Sequence, residues 1–141
     1  MPRVPTLPLA GALALLAACG GSSTPTGNNN NTGGPPTMPG GSPVASANVS
    51  VENYVYSPDA VLLSAGGTVT WNWVDPGHSV TTNGSPAMPA EAPVSNPPKS
   101  LGPVTFSTTG DYQYRCSVHG VACGAYGGTG GCGMYGAIFV R

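Results

Sequence analysis

Apolar and polar residues alternate along the chain from about residue 49 to the C-terminus at residue 141. The clearest run is 68–73, where Val69, Trp71 and Trp73 fall on one face of an extended segment. Shorter runs with the same period of two lie at 104–106 and 112–116, and the chain ends on the apolar run 136–140. This period is typical of strands that are buried on one face. The pattern therefore predicts an all-β fold, a two-sheet antiparallel β-sandwich with Greek-key connections.

Glycine and proline interrupt these runs and predict where the chain turns. Turns are expected at Gly66-Gly67, at Pro76-Gly77 and at Gly110. The proline-rich stretch 83–103 is expected to be one long ordered connection between the sheets.

Residues 1–46 have no such alternation, and their first part is typical of an export signal. Arg3 is followed by an apolar run at 7–18, shorter than the roughly 17 to 25 residues that a membrane-spanning helix needs. Leu16-Ala17-Ala18-Cys19 resembles the lipobox of bacterial lipoproteins. That resemblance implies a signal peptide at 1–18, acylation of the Cys19 thiol, and an exported chain anchored by lipid in the periplasm or at the cell surface. The alternative is an ordinary secretory signal with a coincidental cysteine.

The segment that follows Cys19 has the composition of a linker. Residues 20–46 contain no charged and no aromatic side chain and consist mainly of Gly, Ser, Thr, Pro and Asn. Such a segment buries too little apolar surface to offset its ordering entropy. The sequence therefore predicts a disordered tether at 19–46 and one folded domain at 47–141.

The charge content excludes whole classes of partner. Only 6% of the residues are charged, and the formal net charge is -1. Cleavage before Cys19 would remove Arg3, one of the four basic residues, leaving three against five acidic ones. So few charges do not build the basic surface that nucleic acid requires. We expect a monomer that meets its partner mainly through apolar surface.

Four side chains in the domain form a candidate metal site. His78 and His119 are the only histidines of the chain, and Cys116 ends the strand-like run before His119. Met134 follows them. One thiolate, two imidazoles and a thioether are the ligands of a trigonal copper site with a weak axial methionine. Structural zinc sites more often use paired Cys-x-x-Cys ligands, which this chain lacks.

Three separated segments resemble the ligand segments of cupredoxins, nearest the plastocyanin type. They are 74–81 around His78, 110–119 ending in Cys-Ser-Val-His, and 133–140, which begins Gly-Met-Tyr-Gly. The resemblance covers about residues 49–141. It implies one type 1 copper held by His78, Cys116, His119 and Met134, and a one-electron carrier whose His119 edge faces a transient redox partner.

The chain departs from that family between His119 and Met134. Residues 120–133 form a longer insertion than plastocyanin-like proteins have, and the insertion contains Cys123 and Cys132. In an exported protein, a disulfide between these two cysteines is expected, and it would return Met134 to the copper. Free thiols, or additional soft ligands for Cu(I), are the alternatives.

Two other functions use similar ligands. A multicopper oxidase or reductase needs further histidines for a second copper centre, and both histidines of this chain are already assigned. The domain is therefore not expected to be an enzyme. Copper capture or delivery begins with the same ligands as electron transfer, and the sequence leaves it open.

Overall fold

The computed structural model describes residues 36–120 and 133–141, and these residues form β-strands. The strands are β1 (Val44–Glu52), β2 (Val55–Ser57), β3 (Ala60–Trp73), β4 (His78–Thr82), β5 (Ala92–Ser95), β6 (Lys99–Phe106), β7 (Gly110–Arg115) and β8 (Tyr135–Val140). Neither range contains a helix, and so none that could cross a membrane. The predicted signal peptide, Cys19 and the Cys123–Cys132 pair lie outside the described residues, as does most of the predicted tether.

The strands are ordered β2-β1-β3-β8-β7-β4-β5, and β6 pairs with β3. The first part of β3, Ala60–Leu63, pairs with β8, whereas the part from Gly67 to Trp73 pairs with β1 and β6. One long strand therefore contributes to both layers of the sandwich. The all-β prediction is confirmed.

The sheet is mixed, whereas the sequence led us to expect antiparallel pairing. β3 runs parallel to β1 and also parallel to β8. A hairpin turn reverses the chain and forces neighbours to be antiparallel, but these pairs are joined by longer paths. β2 lies between β1 and β3 in the chain, and four strands lie between β3 and β8. The parallel direction of these two pairs therefore follows from how the whole sheet is connected, and not from a local turn.

The Gly66-Gly67 pair bends β3 instead of ending it. Gly66 has a φ of 82°, in the left-handed region that favours glycine. A Cβ on Gly67 would lie 2.8 Å from the carbonyl oxygen of Ser64 and 2.9 Å from that of Ala45. The register of β1 on β3 shifts at the same place, between Val44 and Ser46. The close approach of β1 to this bend therefore requires glycine at position 67.

Two boundaries in the structure differ from those that the sequence predicted. β1 begins at Val44, before the predicted domain start at residue 47, because Val44 and Ser46 pair with Leu63 and Thr68 of β3. The predicted connection at 83–103 contains β5 and the first part of β6. β5 pairs with β4, and β6 pairs with β3. The prediction missed these strands because it relied on the prolines of this stretch, which do not indicate backbone pairing with distant strands.

Aromatic side chains fill the centre between the layers. Val69, Trp71 and Trp73 are buried, as their alternation predicted. The ring of Tyr114 lies edge-on to Trp71, with centroids 5.4 Å apart, and to Tyr56, at 4.7 Å. Such contacts add roughly 0.5–1.5 kcal/mol per pair to the burial of the rings. These rings therefore pack against one another in the centre of the core.

We predict that Gly67→Ala lowers the free energy of unfolding by about 1–3 kcal/mol, because its Cβ would force the backbone of β1 and β3 apart. Urea unfolding of the metal-free protein measures this loss. Gly40→Ala is the matched control, because a Cβ there meets nothing within 4 Å. Its effect should stay within about 0.5 kcal/mol. Equal effects of the two variants would contradict the close approach at Gly67.

Candidate metal centre

Strand β7 brings three of the four candidate ligands to one end of the sheet. It pairs antiparallel with β4 on one side and with β8 on the other. Cys116 directly follows β7, whereas His78 begins β4 and Met134 directly precedes β8. In antiparallel pairs, the end of one strand lies beside the start of its neighbour. Residues far apart in the sequence are thereby placed side by side.

The potential ligand atoms of His78, Cys116 and His119 converge, all within 4.8 Å of one another. The Nδ1 atoms of His78 and His119 are 3.1 Å apart, and Sγ of Cys116 lies 3.5 Å from Nδ1 of His119. Metal bonds of about 2.0–2.1 Å to nitrogen and 2.3 Å to sulfur span such separations around a single ion. Cys116 is a free, buried thiol. The three donors therefore fit one soft metal ion.

Backbone hydrogen bonds place Met134 next to the same residues. Its amide donates to the carbonyl oxygen of His119 at 3.2 Å, and its carbonyl accepts from the amide of Cys116 at 3.0 Å. The amide of Gly120 donates to the carbonyl of Cys116 at 2.7 Å, which closes the turn that carries His119. Met134 is completely buried. These bonds join the two ends of the insertion, whatever the state of Cys123 and Cys132.

A second group of hydrogen bonds holds the His78 segment to the Cys116 turn. The buried Ser79 Oγ accepts from the amide of Ser117 at 2.8 Å and donates to Ser117 Oγ at 3.0 Å. Trp73 Nε1 donates to the carbonyl of His78 at 2.8 Å, and the Tyr56 hydroxyl donates to that of Ser79 at 2.5 Å. The sequence reasoning missed Ser79 and Tyr56 as supports. In the sequence, the position of Ser79 directly after the candidate ligand His78 was a signal that could have indicated its role.

Burial keeps both imidazoles in the neutral form that binds a metal. Desolvation lowers the pKa of His78, and a positive charge on His119 would lower it further, while Asp75 opposes both effects. Desolvation also lowers the pKa of the half-buried His119. Both rings are therefore mainly neutral at pH 7, with a nitrogen lone pair to offer.

A surface pocket of about 550 Å³ opens beside the two histidines. It is lined by Asn53, Tyr54, Asp75, Pro76, Gly77, His78, Val94, Val118 and His119. The Tyr54 ring lies edge-on to both imidazoles, with centroids 4.6 Å from His119 and 5.6 Å from His78. Sequence reasoning missed this tyrosine, because its contacts depend on how the tip of the β1–β2 hairpin is positioned.

We compared the chain with protein families, with curated proteins and with solved structures. No protein-family model and no curated protein matches the chain. Among solved structures, an oxidised amicyanin variant with a methionine-to-leucine substitution aligns with 17% identity and a TM-score of 0.51, covering 67% of this chain and 81% of amicyanin. A purple cupredoxin from Nitrosopumilus maritimus has 23% identity and a TM-score of 0.50, covering 67% of this chain and 99% of its own.

A third solved structure is much longer than this chain. The copper-containing nitrite reductase of Thermus scotoductus SA-01 has 20% identity and a TM-score of 0.52. The alignment covers 75% of this chain but only 23% of the reductase. The likeness is thus to one portion of the reductase. At these identities the three structures establish the architecture of the chain. The protein therefore has the cupredoxin fold, as the resemblance in its sequence led us to expect.

Proposed function

We propose that this domain binds one copper ion and carries single electrons at a membrane surface. The observation that carries the proposal is the convergence of one buried thiol and two imidazoles within 4.8 Å. In the proposed site, Cys116, His78, His119 and Met134 would hold the ion. Thiolate, imidazole and thioether together favour copper over harder ions.

Bound copper would supply a reversible Cu(I)/Cu(II) couple, in which no covalent bond is made or broken. The contribution of the protein is to hold the ligands still. Ser79 and Ser117 join the two ligand segments, and the Met134 backbone joins Cys116 to His119. Ligands that are held by the backbone move little when the metal changes its charge, and burial limits the rearrangement of water. Both effects favour fast electron transfer.

The face beside His119 supports a transient encounter with a redox partner. Asp75 is the single charged side chain among the residues that line the pocket. Val94 and Tyr54 are about half exposed there. The interfaces of such redox complexes are generally small, below about 1,200 Å².

The location at a membrane is supported by the lipobox-like sequence at Cys19. The assignment as a carrier, not an enzyme, is supported by the presence of both histidines of the chain in one site.

We predict an intense blue thiolate-to-copper band when Cu(II) is added to the purified protein. Cys116→Ser should abolish the band, because the hydroxyl that replaces the thiol is a poor donor for this transition. Met88→Leu is the matched control: Met88 is also a buried sulfur-containing side chain, but its amide donates to Oγ1 of Thr82, at the opposite end of β4 from His78, so the band should remain. Tightly bound copper without a blue band in the unmodified protein would refute the type 1 site.

Stopped-flow electron exchange distinguishes the carrier from a copper capture or delivery protein. We expect fast, reversible reduction and oxidation with no loss of metal over repeated cycles. The rate should depend only weakly on ionic strength, because few charges surround the pocket. Release of copper on reduction, or transfer to an acceptor chelator in each cycle, would favour the delivery function. A steep dependence on salt would contradict the proposed apolar encounter.

We predict that the metal-free protein loses stability as the pH falls from about 7.5 to about 5.5. Unfolded histidine has a pKa near 6.5, and burial lowers the pKa values of His78 and His119 in the folded state. The unfolded chain therefore takes up protons first, which favours unfolding below pH 6.5. Urea unfolding at several pH values measures the slope. His78→Gln with His119→Gln should flatten it, and an unchanged slope in this double variant would refute the assignment.

A further inference from the structure

Tyr54 occupies a backbone conformation that is unfavourable for its side chain. It is the second residue of the two-residue turn between β1 and β2, and both turn residues have positive φ, 44° at Asn53 and 61° at Tyr54. Hairpin turns of this kind prefer Asn-Gly, because a bulky residue is strained in the left-handed region. Strain that glycine would relieve points to a use for the tyrosine ring.

The burial of Tyr54 does not explain its presence. The side chain is 49% exposed, unlike the buried Tyr56, Tyr112 and Tyr114. Its covered part lies against the two histidine rings, edge-on to both, and those two rings are themselves 4.9 Å apart. The tyrosine thus belongs to a cluster of three rings that contains both imidazole ligands of the proposed site. It also forms part of the wall of the surface pocket that opens beside these histidines.

The hairpin tip is attached to the segment that carries His78. The amide of Asn53 donates to Oδ2 of Asp75 at 2.8 Å. The amides of Val74 and Asp75 donate to the carbonyl of Val51 at 3.0 and 3.3 Å. Tyr54 and His78 therefore sit on one hydrogen-bonded unit. These hydrogen bonds therefore fix the ring beside the two histidines.

We propose that Tyr54 is a positioning residue that caps the two histidines. Its ring restricts rotation of the His119 and His78 imidazoles and blocks the approach of water and small anions to the metal from the pocket side. This role rests on the proposed function, because the cap has a purpose only if the histidines hold a metal. Beyond that function, the cap would slow metal exchange and limit the access of external ligands. The residue responsible lies in the β1–β2 hairpin and not in the segments that carry the proposed ligands.

The test compares Tyr54→Gly with Tyr54→Phe. Glycine relieves the strain, which raises the free energy of unfolding, but it also removes the two ring contacts, which lowers it, so the urea midpoint of the metal-free protein should stay close to that of the unmodified protein. The copper-loaded Gly variant should nevertheless release its metal to a chelator about tenfold faster, since two ring contacts are lost. Added azide should change its visible spectrum at concentrations that leave the unmodified protein unaffected. Tyr54→Phe keeps the ring and should match the unmodified protein in every measurement.

A readout without copper checks the contact itself. In the metal-free protein, the ring-proton resonances of His78 and His119 should shift in the Gly variant and not in the Phe variant, because the aromatic ring current is lost. If the Gly variant matches the unmodified protein in copper release and azide binding, the cap is refuted while the blue centre stands. A marked drop in its urea midpoint would assign the ring to stability and refute the cap as well. If the unmodified protein forms no blue centre, the proposed function fails and the cap fails with it.

Discussion

The antiparallel pairing of β7 with both β4 and β8 is the constraint on which the site depends. All of β7 pairs with β8, and its last two residues, Tyr114 and Arg115, also pair with β4, so the end of β7 cannot slide without disrupting two strand pairs. This arrangement places the start of β4, the end of β7 and the start of β8 together. The thiol and one imidazole are therefore delivered by sheet geometry, and the second imidazole by the short turn that the Gly120 amide closes on the Cys116 carbonyl.

The ligand end of the sheet is stiff because hydrogen bonds and aromatic packing act on the same segments. Ser79 connects β4 to the Cys116 turn, and Tyr56 and Trp73 bond to the backbone carbonyls of Ser79 and His78. Tyr56 also packs against Tyr114 in the core. A displacement of His78 would thus break bonds to two buried rings. A rigid arrangement of this kind suits a metal that changes charge without changing its ligands.

The pocket side of the site is built differently, from a strained turn and a half-exposed ring. The strain at Asn53 and Tyr54 is maintained by the bonds that join the hairpin to Asp75 and Val74. The core side therefore positions the candidate ligands, and the turn covers the two histidines with the ring of Tyr54. Tyr56 of β2 packs in the core, whereas Asn53 and Tyr54 at the turn are exposed, so a change at the turn need not disturb the sandwich.

The sequence alone determined the all-β class, the faces of the main strands and the set of four candidate ligands. These are local properties: alternation with a period of two, and chemically distinctive side chains that occur only a few times. The pairing directions, the continuation of β3 through Gly66-Gly67 and the start of β1 at Val44 were decided by contacts between distant segments. The same holds for Ser79, Tyr56 and Tyr54, which are ordinary residues in the sequence. They acquire their positions beside the histidines only when β1, β4 and β7 assemble, because hydrogen bonds and ring contacts depend on distances that no local pattern encodes.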